Sequence, residues 1–143
     1  LRTSNDDFRY EVLALKSRPM AQHMLAAALA ESGVARLDGI EFDFNSARLR
    51  PESHPVLEQI VSLLNADPNL RLEIGGHTDA AGDPSTNRQL SLERASAVKS
   101  WLVAQGIVAQ RLTVQGYGDT RPLAPQDEPA NAARNRRVEL RRL

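Results

Sequence analysis

The sequence contains no cysteine, so disulfides, zinc–thiolate sites and thiol nucleophiles are all excluded. Aromatic residues make up only 4% of it, and any core must therefore be built from aliphatic side chains and alanine. Its formal net charge is zero, which argues against a long polyanion such as DNA as a partner. No apolar run approaches the ~18 residues that a membrane-spanning helix needs, and no secretory signal is visible.

The chain does contain enough residues for one domain with an extension. It has 143 residues, of which 41% are hydrophobic, slightly fewer than is usual for a globular domain of this size. It begins with Leu1 rather than Met, which is typical of a processed or trimmed piece. This start leaves room for a signal, a membrane or outer-membrane anchor, or another domain upstream.

Residues 1–36 are predicted to form an N-terminal extension, in the form of a helical linker. Apolar residues recur there at steps of three and four, the spacing of one helix face, at Met20, Met24, Leu25, Ala28 and Leu29. Gly33 is a suitable end for that helix. Two interpretations stay open: a linker helix packed on the next domain, or a homodimer contact or remnant of a lost domain.

Residues 37–143 are predicted to form one domain, because their apolar residues alternate between strand and helix spacing. Strands are predicted around residues 40–44, 70–76, 112–117 and 137–141. One helix begins at Pro51, and a longer helix begins near Asn87 to Ser91 and ends at Gly106. The order β-α-β-α-β-β predicts an α+β sandwich in which helices pack on a mixed sheet.

Two loops of the predicted sheet are placed to bind a ligand, since ligands of such sheets bind beyond the carboxyl ends of strands. They are residues 45–47, after the first strand, and residues 76–79, after the second. The next helix should present free N–H groups that suit an anion. Arg94, about one turn into that helix, would add a forked donor for a carboxylate.

Asp79 and Arg94 thus supply one acid and one base at the same rim of the sheet. From the residues alone, two interpretations of this pair stay open. In the first, Asp79 caps the loop or the helix, or forms a structural salt bridge with Arg94. In the second, the pair bridges a zwitterionic ligand.

Arginines are concentrated near the C-terminus, with only Glu139 among them to oppose their charge: Arg134, Arg136, Arg137, Arg141 and Arg142. Two interpretations of this cluster stay open as well. It is a solvated strand face, or it attracts anionic glycan, peptide carboxylates or lipid headgroups.

Five motifs resemble, in order, those of the OmpA-like peptidoglycan-binding family, which includes the tails of OmpA proteins, the lipoprotein Pal and motor stator proteins. They are residues 42–47 (FDFNSA) followed by Leu49, residues 76–79 (GHTD) with Gly82, residues 87–95 (NRQLSLERA), residues 116–118 (GYG) with Pro122, and residues 135–139 (NRRVE). A single GHTD would be weak evidence, whereas five ordered motifs from Phe42 onward are specific.

The resemblance implies a β-α-β-α-β-β fold and noncovalent binding of peptidoglycan. It also implies that Asp79 and Arg94 hold the meso-diaminopimelate of the stem peptide. We hypothesise that Asp79 takes the ligand ammonium and Arg94 the ligand carboxylate. Four more residues are expected to complete the site, two through hydrogen bonds (Asn45 and Thr78) and two by shaping its wall (Asn87 and Leu90).

The resemblance further implies a periplasmic location, attached to the outer membrane or to another envelope component. Peptidoglycan is the expected partner, and no nucleic acid, metal or cofactor is expected. The alternative is an envelope protein–protein assembly module that keeps the fold. An enzyme is not expected, because neither a metal set nor a nucleophile elbow can be assembled around His77.

Overall fold

The computed structural model describes residues 24–123 and 135–143. In these residues one sheet contains four strands: β1 (Val34–Leu37), β2 (Leu72–His77), β3 (Leu112–Gly118) and β4 (Arg137–Arg142). The helices are α1, which covers residues 24–31, α2 (His54–Ala66) and α3 (Pro84–Ala104), with short 3-10 turns at Pro51–Ser53 and Ala109–Arg111. From β1 onward the order is β-α-β-α-β-β, which confirms the predicted fold class.

The strand order in the sheet is β1-β4-β2-β3. β4 is antiparallel to both of its neighbours, while β2 and β3 are parallel. The first residue of β4, Arg137, pairs with the last residue of β2, His77. The start of β4 therefore lies beside the carboxyl end of β2, at one edge of the sheet.

The core lies between the sheet and the helices and is aliphatic, as the low aromatic content requires. Its fully buried side chains include Leu57 and Ile60 of α2, Leu72 of β2, Leu102 of α3 and Leu140 of β4. Burying one such side chain contributes about 1.5–3 kcal/mol. Among the described helices, none is both long and apolar enough to cross a lipid bilayer.

Two glycines allow α3 to lie directly on the sheet. A Cβ atom added at Gly76 of β2 would lie 2.1 Å from the carbonyl oxygen of Ser91, and one added at Gly116 of β3 would lie 2.7 Å from that of Arg88. Both neighbours are backbone atoms of α3, so a side chain at either position would push the helix away. This close approach sets the position of α3, and of Arg94 on it, relative to the end of β2.

The predicted first strand is wrong in position. β1 is Val34–Leu37 and pairs with β4, whereas the alternation of Phe42 and Phe44 predicted a strand at residues 40–44. That segment instead turns back on itself, because Asp43 N donates to Arg48 O at 3.0 Å and Phe42 makes an isolated bridge to Leu49. Its hydrogen bonds are satisfied within a small hairpin, residues 42–49, and Phe44 is 94% exposed rather than part of the core.

Part of β1 lies in residues 1–36, which were assigned to the N-terminal extension. The sheet therefore begins before residue 37. α1 stops close to Gly33, whose φ of +79° suits a helix end, as predicted. Leu29 is buried in the core, while Met24 is 65% exposed. The predicted helical residue Met20 lies outside the described residues.

The start of α3 also differs from the prediction. The helix begins at Pro84, with Asp83 as its N-cap, rather than near Asn87 to Ser91. The Asp83 carboxylate accepts a hydrogen bond from Thr86 N at 3.0 Å, so the first turn already has an anion of its own. Arg94 consequently lies about three turns into α3 rather than one. The expectation of an anion site combining the helix start with Arg94 one turn later is therefore wrong.

Candidate functional site

An open cleft of about 1120 Å³ lies at the edge of the sheet where β2 ends and β4 begins. All six side chains that were predicted to bind a ligand line it: Asn45, Thr78, Asp79, Asn87, Leu90 and Arg94. They come from the hairpin of residues 42–49, from the loop after β2 and from α3. The fold thus brings together residues that are far apart in sequence.

Asp79 is held in one orientation in the loop after β2. Its Oδ1 atom accepts a hydrogen bond from Ala81 N at 2.9 Å, and its Oδ2 atom accepts one from Arg136 at 2.5 Å. The side chain is 16% exposed. The carboxylate is therefore partly desolvated, already ion-paired and still open to the cleft.

Thr78 and Asn87 hold the same loop in place. Thr78 N donates to Gly118 O at 2.8 Å, and the Thr78 hydroxyl donates to the carbonyl oxygen of Asp79 at 2.9 Å. The Asn87 amide donates to Ala81 O at 2.8 Å. These bonds orient Asp79, and direct contact of Thr78 or Asn87 with a ligand stays a prediction.

Arg94 enters the cleft from α3. Its Nε atom donates to the carbonyl oxygen of Ser46 at 2.8 Å, and its guanidinium carbon lies 4.9 Å from the centre of the Phe42 ring. Burial, and to a smaller extent the positive charge of Arg136, lowers the pKa of Arg94. The hairpin therefore holds the guanidinium through its Nε–H, which donates to Ser46 O, and through one planar face, which lies on the Phe42 ring. The other N–H groups can donate to another acceptor.

Within the described residues Arg94 has no carboxylate partner. The other arginines that line the cleft each have one: Arg36 pairs with Asp38, Arg136 with Asp79 and Arg137 with Glu139. Arg94 is also half-buried, so its charge is less well hydrated than that of an exposed arginine. Arg94 is therefore the arginine of the cleft whose charge no carboxylate balances among the described residues.

The structural salt bridge between Asp79 and Arg94 that the residues left open is not formed among the described residues. Asp79 pairs with Arg136 instead. Arg136 belongs to the C-terminal cluster of arginines and to the motif at residues 135–139, but neither pattern predicted its place at the site. The signal that identifies it is topological: residue 136 immediately precedes β4, and β4 runs antiparallel beside β2, so its start lies beside the loop after β2.

The hairpin tip and α3 supply the remaining walls of the cleft. Asn45 has a φ of 51°, the left-handed conformation that asparagine tolerates, and its exposed side chain lies at the rim. Leu90 is half-buried and gives the cleft an apolar patch. Both residues line the cleft, and their contacts with a ligand stay predictions.

A polar cluster next to the cleft ties β4 to β2. The His77 side chain is buried, its Nε2 atom lies 3.5 Å from Glu139 Oε1, and its ring stacks on Tyr117 at 5.0 Å between centroids. Arg137 Nε donates to Glu139 Oε2 at 2.6 Å. Burial favours a higher pKa for Glu139, but the interactions with His77 and Arg137 more than offset it and lower the pKa to about 2.

In the described portion of the chain, no group of three or more His, Asp or Glu side chains is placed to hold a metal ion. The His77 side chain lies between Glu139, which is near its Nε2 atom, and the Tyr117 ring, on which it stacks. Its position indicates a role in holding the edge of the sheet together beneath the cleft.

Residues 41–136 match the OmpA family. The peptidoglycan-binding protein ArfA of Mycobacterium tuberculosis is 36% identical over 101 residues, which cover 71% of this chain and 31% of that protein. The photosystem I P700 chlorophyll a apoprotein A2 of Gloeobacter violaceus is 40% identical over 109 residues, which cover 72% of this chain but 12% of that protein. The chain thus spans less than a third of the length of either relative.

The match to solved structures with the same fold covers a larger share of each of those chains. The peptidoglycan-associated lipoprotein from Burkholderia pseudomallei superposes with a TM-score of 0.67 and 29% identity over 73% of this chain and 88% of that chain. The cell wall anchor of the T6SS from Pseudomonas aeruginosa superposes with a TM-score of 0.65 and 30% identity over 86% of this chain and 96% of that chain.

Proposed function

We propose that this chain, which belongs to the OmpA family, binds peptidoglycan noncovalently through the diaminopimelate of the stem peptide. It would act without catalysis, in the periplasm, by tethering a protein of the outer membrane or another envelope component to the cell wall. The names of its relatives support this proposal, since one is called peptidoglycan-binding and another a cell wall anchor.

The observation that carries the proposal is the presence of Asp79 and Arg94 in one cleft, with Arg94 lacking a carboxylate partner among the described residues. The free end of diaminopimelate has an ammonium and a carboxylate on the same carbon atom. Such a ligand requires an acceptor and a forked donor close to each other. Asp79 would accept from the ammonium, and Arg94 would donate to the carboxylate.

The surroundings of the pair favour a strong contribution from each charge. Asp79 is only 16% exposed and Arg94 is half-buried, so the electrostatic interactions are less screened than on an open surface. Removing either side chain leaves one charge of the ligand without a partner. A hydrogen bond to a charged group contributes about 1.5–3 kcal/mol, which corresponds to roughly 10- to 150-fold in affinity.

Co-sedimentation with purified diaminopimelate-type sacculi tests the proposal. We expect Asp79→Ala and Arg94→Ala each to reduce binding by one to two orders of magnitude, roughly the loss of one charged hydrogen bond. The matched control is Arg48→Ala, because Arg48 belongs to the same hairpin, is 83% exposed and does not line the cleft. Folding of each variant is checked by circular dichroism.

The proposal predicts that these variants differ in how strongly they bind sacculi. Full binding by the Arg48→Ala variant and weak binding by the other two would support it. If the folded Asp79→Ala and Arg94→Ala variants sedimented with sacculi as strongly as the unaltered chain, the assignment of this cleft would be wrong.

A further inference from the structure

The acceptor proposed for the ligand ammonium already has a cationic partner in the free protein. Arg136 donates to Asp79 Oδ2 at 2.5 Å, and Ala81 N donates to Oδ1. A ligand ammonium that approaches Asp79 must therefore compete with the Arg136 guanidinium for the same carboxylate. The Asp79–Arg136 pair is thus part of the binding equilibrium.

Arg136 is the partner that can move. Asp79 is 16% exposed and held by its loop, whereas the Arg136 side chain is 49% exposed, and its hydrogen-bond partner among the described residues is Asp79. The backbone next to it is held, because the buried Asn135 side chain accepts a hydrogen bond from Leu123 N at 2.7 Å. Only the side chain of Arg136 has to turn away for Asp79 to become free.

The consequence of that movement depends on the charge of the ligand. Burial is the main cause of the lowered pKa of Arg94, and the positive charge of Arg136, which repels it, is the second. A ligand that brings only an ammonium would place three positive charges around the single carboxylate of Asp79. A ligand that brings a carboxylate next to its ammonium supplies a second anion, to which both guanidinium groups can donate.

We infer that Arg136 is a specificity-determining residue, which occupies the ammonium position at Asp79 in the free protein and turns to the ligand carboxylate on binding. The cleft would thereby select stem peptides whose diaminopimelate keeps a free carboxylate beside its free ammonium, over peptides in which that carboxylate is amidated. This inference rests on the proposed function and deepens it, since it names the form of the ligand.

Calorimetric titration with two synthetic stem peptides tests the inference. The peptides are identical except that the carboxylate next to the free ammonium of diaminopimelate is either free or a carboxamide. The unaltered chain should bind the free acid more tightly. The Arg136→Gln variant should bind the amidated peptide about two- to fivefold tighter than the unaltered chain does, because a half-exposed ion pair no longer has to be broken.

The preference for the free acid, expressed as the ratio of the two dissociation constants, should fall by at least that factor in the Arg136→Gln variant. Arg136→Lys keeps a cation beside Asp79 and should retain most of the preference. A side chain that merely supports the loop could not give this result, because its loss would weaken the binding of both peptides equally. Tighter binding of the amidated peptide by the Arg136→Gln variant is therefore the result that identifies the proposed role.

Two outcomes would count against the inference in different ways. If both peptides bind the unaltered chain, but Arg136→Gln leaves the ratio unchanged or weakens both equally, the role of Arg136 is refuted while the proposed function stands. If the unaltered chain binds neither peptide, the proposed function itself fails and the inference fails with it.

Discussion

The face of the sheet beneath α2 and α3 differs from the edge where β2 ends and β4 begins. On the packed face, residues such as Leu72, Ile74 and Leu140 are fully buried in an aliphatic core. At the edge, Asp79 and Arg94 carry charges that are only partly buried. Apolar burial stabilises the fold without any charged partner, whereas a partly buried charge depends on the partner available to it. Substitutions on the packed face should therefore change the stability of the fold, whereas changes in the charges at the edge should change its dependence on pH and on ligand.

Gly76→Ala should have the largest effect, because it breaks the packed face. The new methyl group would lie 2.1 Å from the carbonyl oxygen of Ser91, and only a shift of α3 can relieve that contact. We expect the free energy of unfolding to fall by about 3 kcal/mol or more. Urea denaturation followed by circular dichroism measures it.

The matched control is the neighbouring substitution Gly75→Ala, on the other face of the same strand. A Cβ atom there meets the edge of the Tyr117 ring at 2.9 Å, and a side chain can move more easily than a helix backbone. It should cost clearly less stability than Gly76→Ala. Equal losses for the two variants would show that the close approach of α3 is not the determining contact.

Glu139 allows the edge to be tested by pH. Its pKa is about 2 in the folded protein, below the ordinary value of 4.5, so its ionised form stabilises the fold above pH 4.5. That contribution, about 1–3 kcal/mol, should be lost as the pH falls from 4.5 towards 2. Glu139→Gln should reduce stability at pH 7 and flatten the profile across this range. Parallel profiles of the two proteins would contradict this assignment.

Phe44→Ser should have the smallest effect on stability, because this side chain lies outside the core. Phe44 alternates with Phe42 as a core residue would, yet it is 94% exposed at the hairpin. We expect the free energy of unfolding to change by less than about 0.5 kcal/mol. A loss as large as that of a buried phenylalanine, about 3–5 kcal/mol, would mean that Phe44 belongs to the core after all.

Much of the packed face could be predicted from local sequence patterns. The alternation around Leu72, Leu112 and Val138 predicted β2, β3 and β4. Gly106 marked the end of α3, and Pro51 marked the 3-10 turn that leads directly into α2. These signals are local, because each depends on side chains that follow one another along a single element. They suffice wherever an element buries one face in the core.

The errors arose where competing local signals, or contacts between distant segments, decide the structure. The short β1 has little alternation of its own, and the hairpin at residues 42–49 imitates a strand. The helix start was missed although Asp83 and Pro84 form a capping signal. The pairing of Arg136 with Asp79 follows from the position of β4 beside β2, which no local pattern contains.

We claim that one cleft recognises both charges on the free end of diaminopimelate, and a crystal structure with a bound stem peptide would test this claim. We predict the ligand ammonium within hydrogen-bond distance of the Asp79 carboxylate, the ligand carboxylate on the fork of Arg94, and Arg136 turned from Asp79 towards that carboxylate. A peptide bound elsewhere, or bound in this cleft with its two charges directed away from Asp79 and Arg94, would contradict the claim.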